Sequence, residues 1–255
     1  MKHATEHCKN NVKKFDYAAF RVAAHMPAAA QPHYFAINSF FLEVLRSREI
    51  SRERSICQTR LHWWRQTLVD VENKKAAREP LARMLKDVHE KSRVNFKLLH
   101  RMIDYQLFDI DRGSISTMQE LEVYAENTRS LMLYMNLHLL NIDDERANLM
   151  GSHLGRALGI CDVIRKSPYY IAIQRGYLPV DVLLKHNVQQ DKIYRRQDKE
   201  SLIAEEFYDA VLEIAAYARK HLQISRQLQD EAIAKAATSE GKPLPKHMHR
   251  AFLLA

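Results

Sequence analysis

The chain has 255 residues and a net charge of +8, long enough to bury a substantial core in one large domain or two small ones. With only six glycines and seven prolines, and with Leu, Ala, Arg, Lys, Glu and Gln abundant, it reads as an all-helical protein. No run of about 18 apolar residues is present to span a bilayer, and Cys8, Cys57 and Cys161, far apart with no C-x-x-C pair, imply reduced thiols in an intracellular protein, without a disulfide framework or a zinc site. The basic balance suits an acidic protein partner, an anionic membrane surface or RNA, and does not choose among them.

In chain order, Val12, Phe15, Ala19 and Val22 have helical spacing and predict a helix over 6–25, ended by Met26-Pro27. The basic first 14 residues hold no Arg and carry Glu6, which makes a poor transit peptide. Phe35, Ile37, Phe40, Phe41, Val44 and Leu45 predict a buried helix over 34–48 whose end carries Arg46, Arg48, Arg52 and Arg54 among Glu43, Glu49 and Glu53. A helix over 55–72 contains Trp63 and Trp64; neighbours on a helix point about 100° apart, so one is core and the other meets a neighbour or a partner. Pro80 suits the first turn of a helix continuing to about Asp109, and Asp111-Arg-Gly113-Ser makes a turn. Thr117 and Glu120 have capping-box spacing before an apolar, central stretch over 121–140.

Asn141-Ile-Asp-Asp144 breaks the chain, and Glu145 opens a helix with Gly151, Gly155 and Gly159 along one face, a surface that admits another helix closely; Pro168 is expected to stop it. A short helix over 180–186 follows, then a polar loop over 189–199 with Arg195 and Arg196, and a long helix over 201–237. The tail holds Pro243, Pro245 and His247-Met-His-Arg250. With no repeat or linker, the expectation is a single domain over 1–255, with 1–7 and 240–255 as flanking segments.

Chemistry is sparse. Mg²⁺ bound to a diphosphate takes one or two carboxylates per ion, which on helices calls for acids three or four residues apart on facing helices. Asp143 and Asp144 lie at a helix start, where acids serve as caps, and Asp104, Asp109 and Asp111 straddle a helix end and read as surface acids. The 13 histidines include no H-E-x-x-H, and G-x-S-x-G and phosphate-cradling glycine loops are missing.

Nevertheless the chain resembles the squalene/phytoene synthases, all-helical enzymes that join two prenyl diphosphates head to head. The resemblance runs from Cys8-x-x-x-Val12 with Asp16-Tyr17, through Pro27 and Phe35-Ala-Ile-Asn-Ser-Phe40, to Gly155-x-Ala157, Ile164-Arg165 and, twelve residues after that arginine, Tyr177-Leu-Pro179-x-Asp181. It implies a single-domain isoprenoid-synthase-like helical bundle. The family reads Leu-Arg-Asp-x-x-Glu-Asp, a short spacer, then Tyr-Leu-Pro; here Lys166, Tyr169 and Tyr170 stand where its second acidic motif would be, and Glu43-Val-Leu-Arg46-Ser-Arg48-Glu49 where the first would be. With both motifs degenerate the Mg²⁺ sites are lost, and the resemblance implies a non-enzyme without cofactor.

Arg60-Leu-x-Trp-Trp64-Arg65 and Arg165-Lys-Ser-Pro168-Tyr169 further resemble the non-catalytic branch of this family that serves mitochondrial complex I assembly. That implies a factor in the mitochondrial matrix, with proteins of a large assembly as partners, either respiratory complex I or the mitochondrial ribosome; in the second case ribosomal RNA would meet Arg46, Arg48, Arg52, Arg54, Arg195 and Arg196. Peripheral contact with anionic lipid is a further option. The alternative is a Mg²⁺-dependent prenyl transferase or prenyl-diphosphate-binding protein using Glu43, Glu49, Asp143 and Asp144 as substitute acids. One departure from the resemblance is that the sequence ends at Phe252-Leu-Leu-Ala255, soon after the segment where relatives add a last helix, and a groove left open there is the expectation.

Overall fold

Capping side chains set where many of the helices begin. The structure is a computed structural model and describes residues 1–51, 53–194, 205–238 and 242–253. Helices α1 (Lys2–Phe15) and α2 (Tyr17–Val22) replace the single helix expected over 6–25. Asp16 has non-helical dihedrals between them, and its Oδ1 accepts from the Ala19 amide at 2.9 Å, so the second helix starts afresh. Helices α3 (Gln31–Leu45), α4 (Ser47–Ile50) and α5 (Arg54–Glu72) follow. The helix expected from Pro80 to Asp109 is two, α6 (Pro80–Lys91) and α7 (Phe96–Asp111), because Asn95 caps the second through the Lys97 amide.

Thr117 opens α8 (Met118–Ala125) by accepting from the Glu120 amide at 3.2 Å, while the Glu120 carboxylate reaches back to accept from the Ser116 amide at 2.7 Å, the two halves of a capping box. A single π turn, Glu126–Ser130, joins it to α9 (Leu131–Leu139). Asp144 then caps α10 (Glu145–Ala172) through the Arg146 and Ala147 amides, the role expected of an acid there. Pro168 does not stop this helix, which continues one turn further to Ala172. Proline removes one backbone bond, but Ile171 beyond it is buried, and packing holds the last turn. The chain continues through α11 (Val180–Lys185), α12 (Gln190–Tyr194), α13 (Glu205–Ala237) and α14 (Met248–Ala251). Helix α12 lies where a polar loop was expected; residues 195–204 lie outside the described residues, and with them Arg195, Arg196 and the expected start of the long helix.

One apolar core joins α1, α3, α5, α6, α7 and α9, and a second joins α8, the later part of α10, the 177–193 segment and α13. Trp64 is buried edge-on against Phe40 with ring centroids 5.5 Å apart, and Trp63 is the exposed member of the pair. Helix α14 closes a third cluster with Met248 and Ala251 against Leu137, Ile142, Ala147 and Met150. The glycine face of α10 packs where anticipated: a Cβ at Gly155 would lie 2.4 Å from the Ser130 Cα, and one at Gly159 would lie 2.5 Å from the Ala125 Cβ. Gly151 is looser, facing the Phe252 ring at an ordinary 3.4 Å. Among the described residues there is no strand, only an isolated bridge between Ser114 and Gly176.

Candidate functional site

The glycine stripe does not end with the glycines. Residues 155, 159, 162 and 166 continue along one face of α10, since positions three and four apart align on a helix, so a stripe that begins as tight packing leads to Asp162 and Lys166. There α10 parts from its neighbours. A cavity of about 700 Å³ opens between its last turns, the end of α3 (Phe41, Leu42, Leu45), the junction of α1 and α2, and Arg129 on the π turn. A second cavity of about 720 Å³ adjoins it and shares Arg48, Glu49, Tyr169, Ile173 and Arg175, so the two form one trough.

Its wall is organised by two acids. Asp162 pairs with Arg129 and also accepts from Arg165 Nη2 at 2.5 Å. Asp109 lies beneath, only 2% exposed, and accepts from the Tyr177 hydroxyl at 2.6 Å. Arg48 donates to the Asp109 carbonyl, and Arg175 Nη2 sits 3.1 Å from that carbonyl and 3.4 Å from the carboxylate. Burial pushes the Asp109 carboxyl above its ordinary range, against the pull of Arg48 and the Tyr177 hydrogen bond. The same burial lowers the Arg48 guanidinium.

At the mouth Arg46 Nε donates to Glu49 at 2.6 Å while its guanidinium carbon stacks 3.6 Å from the Phe15 ring centroid. Lys166 has no partner among the described residues; its surface is open to the cavity solvent although protein surrounds it, and that burial, with Arg129 and Arg165 nearby, lowers its ammonium. Burial raises every phenol of the group, Tyr170 to about 12, so Tyr124, Tyr169, Tyr170 and Tyr177 are neutral donors.

Backbone bonds hold the Tyr177-Leu-Pro179 turn in place. The Ile115 amide donates to the Gly176 carbonyl at 2.8 Å, the Val180 amide to Ile115 at 3.1 Å, and the Asp181 amide to Ser116 at 3.0 Å. The turn thereby carries Tyr177 to Asp109. Opposite it, the Glu126 carboxylate behind Arg129 accepts from Tyr134, Ser152 and Arg156, and these donors outweigh burial to hold it below its ordinary range.

Six of the seven positions expected from the resemblance to be degenerate motif positions therefore converge: Arg46, Arg48, Glu49, Lys166, Tyr169 and Tyr170 all line the trough. Glu43 does not join them, pairing instead with Arg60. Of the other arginines singled out, Arg54 lines the second cavity, while Arg52, Arg195 and Arg196 lie outside the described residues. Asp109 is the principal correction, since it is the buried centre of the wall and not a surface acid. Its place was legible: Met102, Gln106 and Asp109 share a helical face, and all three are buried. Arg129, Asp162 and Arg175 were also missed.

The donors do not fit the Mg²⁺ that the family resemblance implies. The lining carboxylates are Asp16, which caps α2, Glu49, held by Arg46, and Asp162, held by two arginines. Among the described residues no group of three or more His, Cys, Asp or Glu side chains is placed to hold a metal.

A squalene/phytoene synthase family model matches residues 12–255. The chain belongs to the squalene/phytoene synthase family. Within that family it is similar to NADH dehydrogenase (ubiquinone) complex I, assembly factor 6, of Bos taurus, 29% identical over 230 residues that cover 90% of this chain and 68% of that protein. The same factor of Mus musculus is 30% identical with the same coverage, and a Drosophila melanogaster homolog is 28% identical over 235 residues. Among solved structures, a dehydrosqualene synthase in complex with ligand superposes with a TM-score of 0.66 at 20% identity, covering 99% of this chain and 94% of that one. The squalene synthase HpnC of Alicyclobacillus acidocaldarius gives 0.68 at 18% identity, covering 95% and 96%. These two establish the all-helical squalene/phytoene synthase fold.

Proposed function

We propose that this squalene/phytoene synthase family member is a mitochondrial assembly factor for respiratory complex I, working in the matrix by binding and without catalysis. The observation that carries the reading is the similarity to complex I assembly factor 6 along 90% of the chain. The trough supports it. A prenyl diphosphate departs with the help of metal-held charge, and here arginines occupy the carboxylates that would take the metal.

The test is complementation. In cells lacking the protein, fully assembled complex I on native gels should fall and be restored by re-expression. Sedimentation of mitochondrial extract should place the protein with complex I subunits; migration with ribosomal precursors that collapses under RNase would move its target to the ribosome. Incubation of the purified protein with farnesyl diphosphate and Mg²⁺ should release no pyrophosphate. Metal-dependent release abolished by Glu49→Ala would overturn the non-enzymatic reading.

A further inference from the structure

The trough holds more positive charge than its own acids neutralise. Asp162 is shared by two arginines, Glu49 serves Arg46, and the buried Asp109 faces Arg48 and Arg175. Lys166 in the middle and Arg54 at the far end have no partner among the described residues, and Arg165 keeps 72% of its side chain exposed even while it bonds Asp162. The rim is of the opposite character. Phe15, Tyr17, Tyr169 and Ile173 are each at least 40% exposed, and all four line the mouth. Large apolar side chains left in water around a recess mark an interaction site, and an excess of fixed cations selects what enters by complementarity.

We infer that the trough docks an extended, acidic segment of a partner protein, with bulky apolar residues on the rim and carboxylates at Lys166, Arg165 and Arg54. This rests on the assembly-factor reading, which supplies a protein as the partner. The length of the basic floor favours a peptide over a lipid. Beyond the first cavity the floor continues past Arg48 and Arg175, which face Asp109, and Arg112, paired with Glu120, to Arg54, unpartnered among the described residues. The available cations Lys166, Arg165 and Arg54 are thus spread along the trough, which suits a chain carrying several carboxylates along its length. A lipid offers a single anionic head, and its acyl chains would lie against guanidinium groups.

The experiment places the photo-crosslinking residue p-benzoylphenylalanine at Ile173 of the full chain in mitochondria, with a control at Tyr208 on α13, exposed and outside the trough. Adducts are sequenced by mass spectrometry, and complex I is measured in the same cells. The expected adduct at Ile173 is a peptide rich in Asp and Glu, absent from the Tyr208 control. It should fall about tenfold in Lys166→Glu and survive in Lys166→Arg. Arg54→Glu, at the other end and on a different helix, should weaken it as well, so that a folding defect in one variant does not decide the outcome. An adduct with lipid or RNA, a peptide without acidic residues, or an acidic adduct indifferent to both charge reversals overturns the docking proposal, even where the wild-type chain restores complex I. Failure of the wild-type chain to restore complex I overturns the assembly reading instead.

Discussion

The two halves of α10 share one helical stripe and use it for opposite ends. Up to Gly159 the stripe has no side chains, and the π turn and α8 come within backbone contact of it. From Asp162 onward the same face carries charge, and the neighbouring helices stand away to leave the trough. The closed half fixes the position of the π turn and so of Arg129, while the open half receives Arg129 at Asp162. A change in the first half should therefore register as lost stability, and a change in the second as lost binding.

The largest effect should come from filling the closed half. Gly159→Leu drives a side chain into the Ala125 backbone and is expected to destabilise by about 3 kcal/mol or more, seen as a fall in Tm and in soluble yield. Asp109→Ala, which removes the acceptor of the Tyr177 hydroxyl and the countercharge of Arg48 and Arg175 while leaving them the backbone carbonyl, is expected to cost about 3 kcal/mol in denaturant unfolding. A change of under about 1 kcal/mol would mean that burial already offsets the pairing, in line with the raised carboxyl. Pro168→Ala should act in the other direction, restoring an amide within α10 and raising stability by about 1 kcal/mol. Lys166→Ala should leave unfolding within about 0.5 kcal/mol of wild type, the sharpest contrast with Gly159 on the same stripe.

A pH scan probes the packing of α10 on α13. His153 Nδ1 lies 2.9 Å from His221 Nδ1, and His221 Nε2 lies 3.0 Å from Glu122, an arrangement that requires one imidazole nitrogen of the facing pair to be bare. Burial lowers His153, with His221 and Arg156 pushing the same way and Glu126 and Glu122 opposing. The unfolded chain then binds more protons than the folded one below about pH 6.5. Stability should fall as pH drops from about 6.5 toward the folded value and level off beneath it. His153→Asn should flatten that slope in melts between pH 7.5 and 5. A residual slope of the same sign is expected from His138, which burial also lowers.

Much of this was legible because it is local. The Trp63–Trp64 pair, the Thr117 cap, the Asp144 cap and the glycine face each follow from a few residues and a period of 3.6, and the structure has all four. The resemblance then located six of the residues that line the trough. What escaped depends on partners distant in sequence. Pro168 obeys a local rule that tertiary packing overrides. Nearness to a helix end makes Asp109 read as a surface acid, although its spacing from Met102 and Gln106 puts it on the buried face, and its partner Tyr177 is 68 residues away. Arg129 was hidden by the π turn, whose extra residue rotates the helix surface out of any regular period.

Asp162 shared by two arginines also bears on what a designed acid could do here. A carboxylate placed at position 166, 169 or 170 would enter a field already set by Arg129 and Arg165, and would be drawn to their guanidinium groups before it could recruit a divalent ion. Building a metal site in the trough thus requires removing those cations first, and Arg129→Ala alone leaves Asp162 with Arg165 while detaching the π turn from α10. The shared salt bridge works as a charge trap: an added acid is neutralised by guanidinium before it meets a cation.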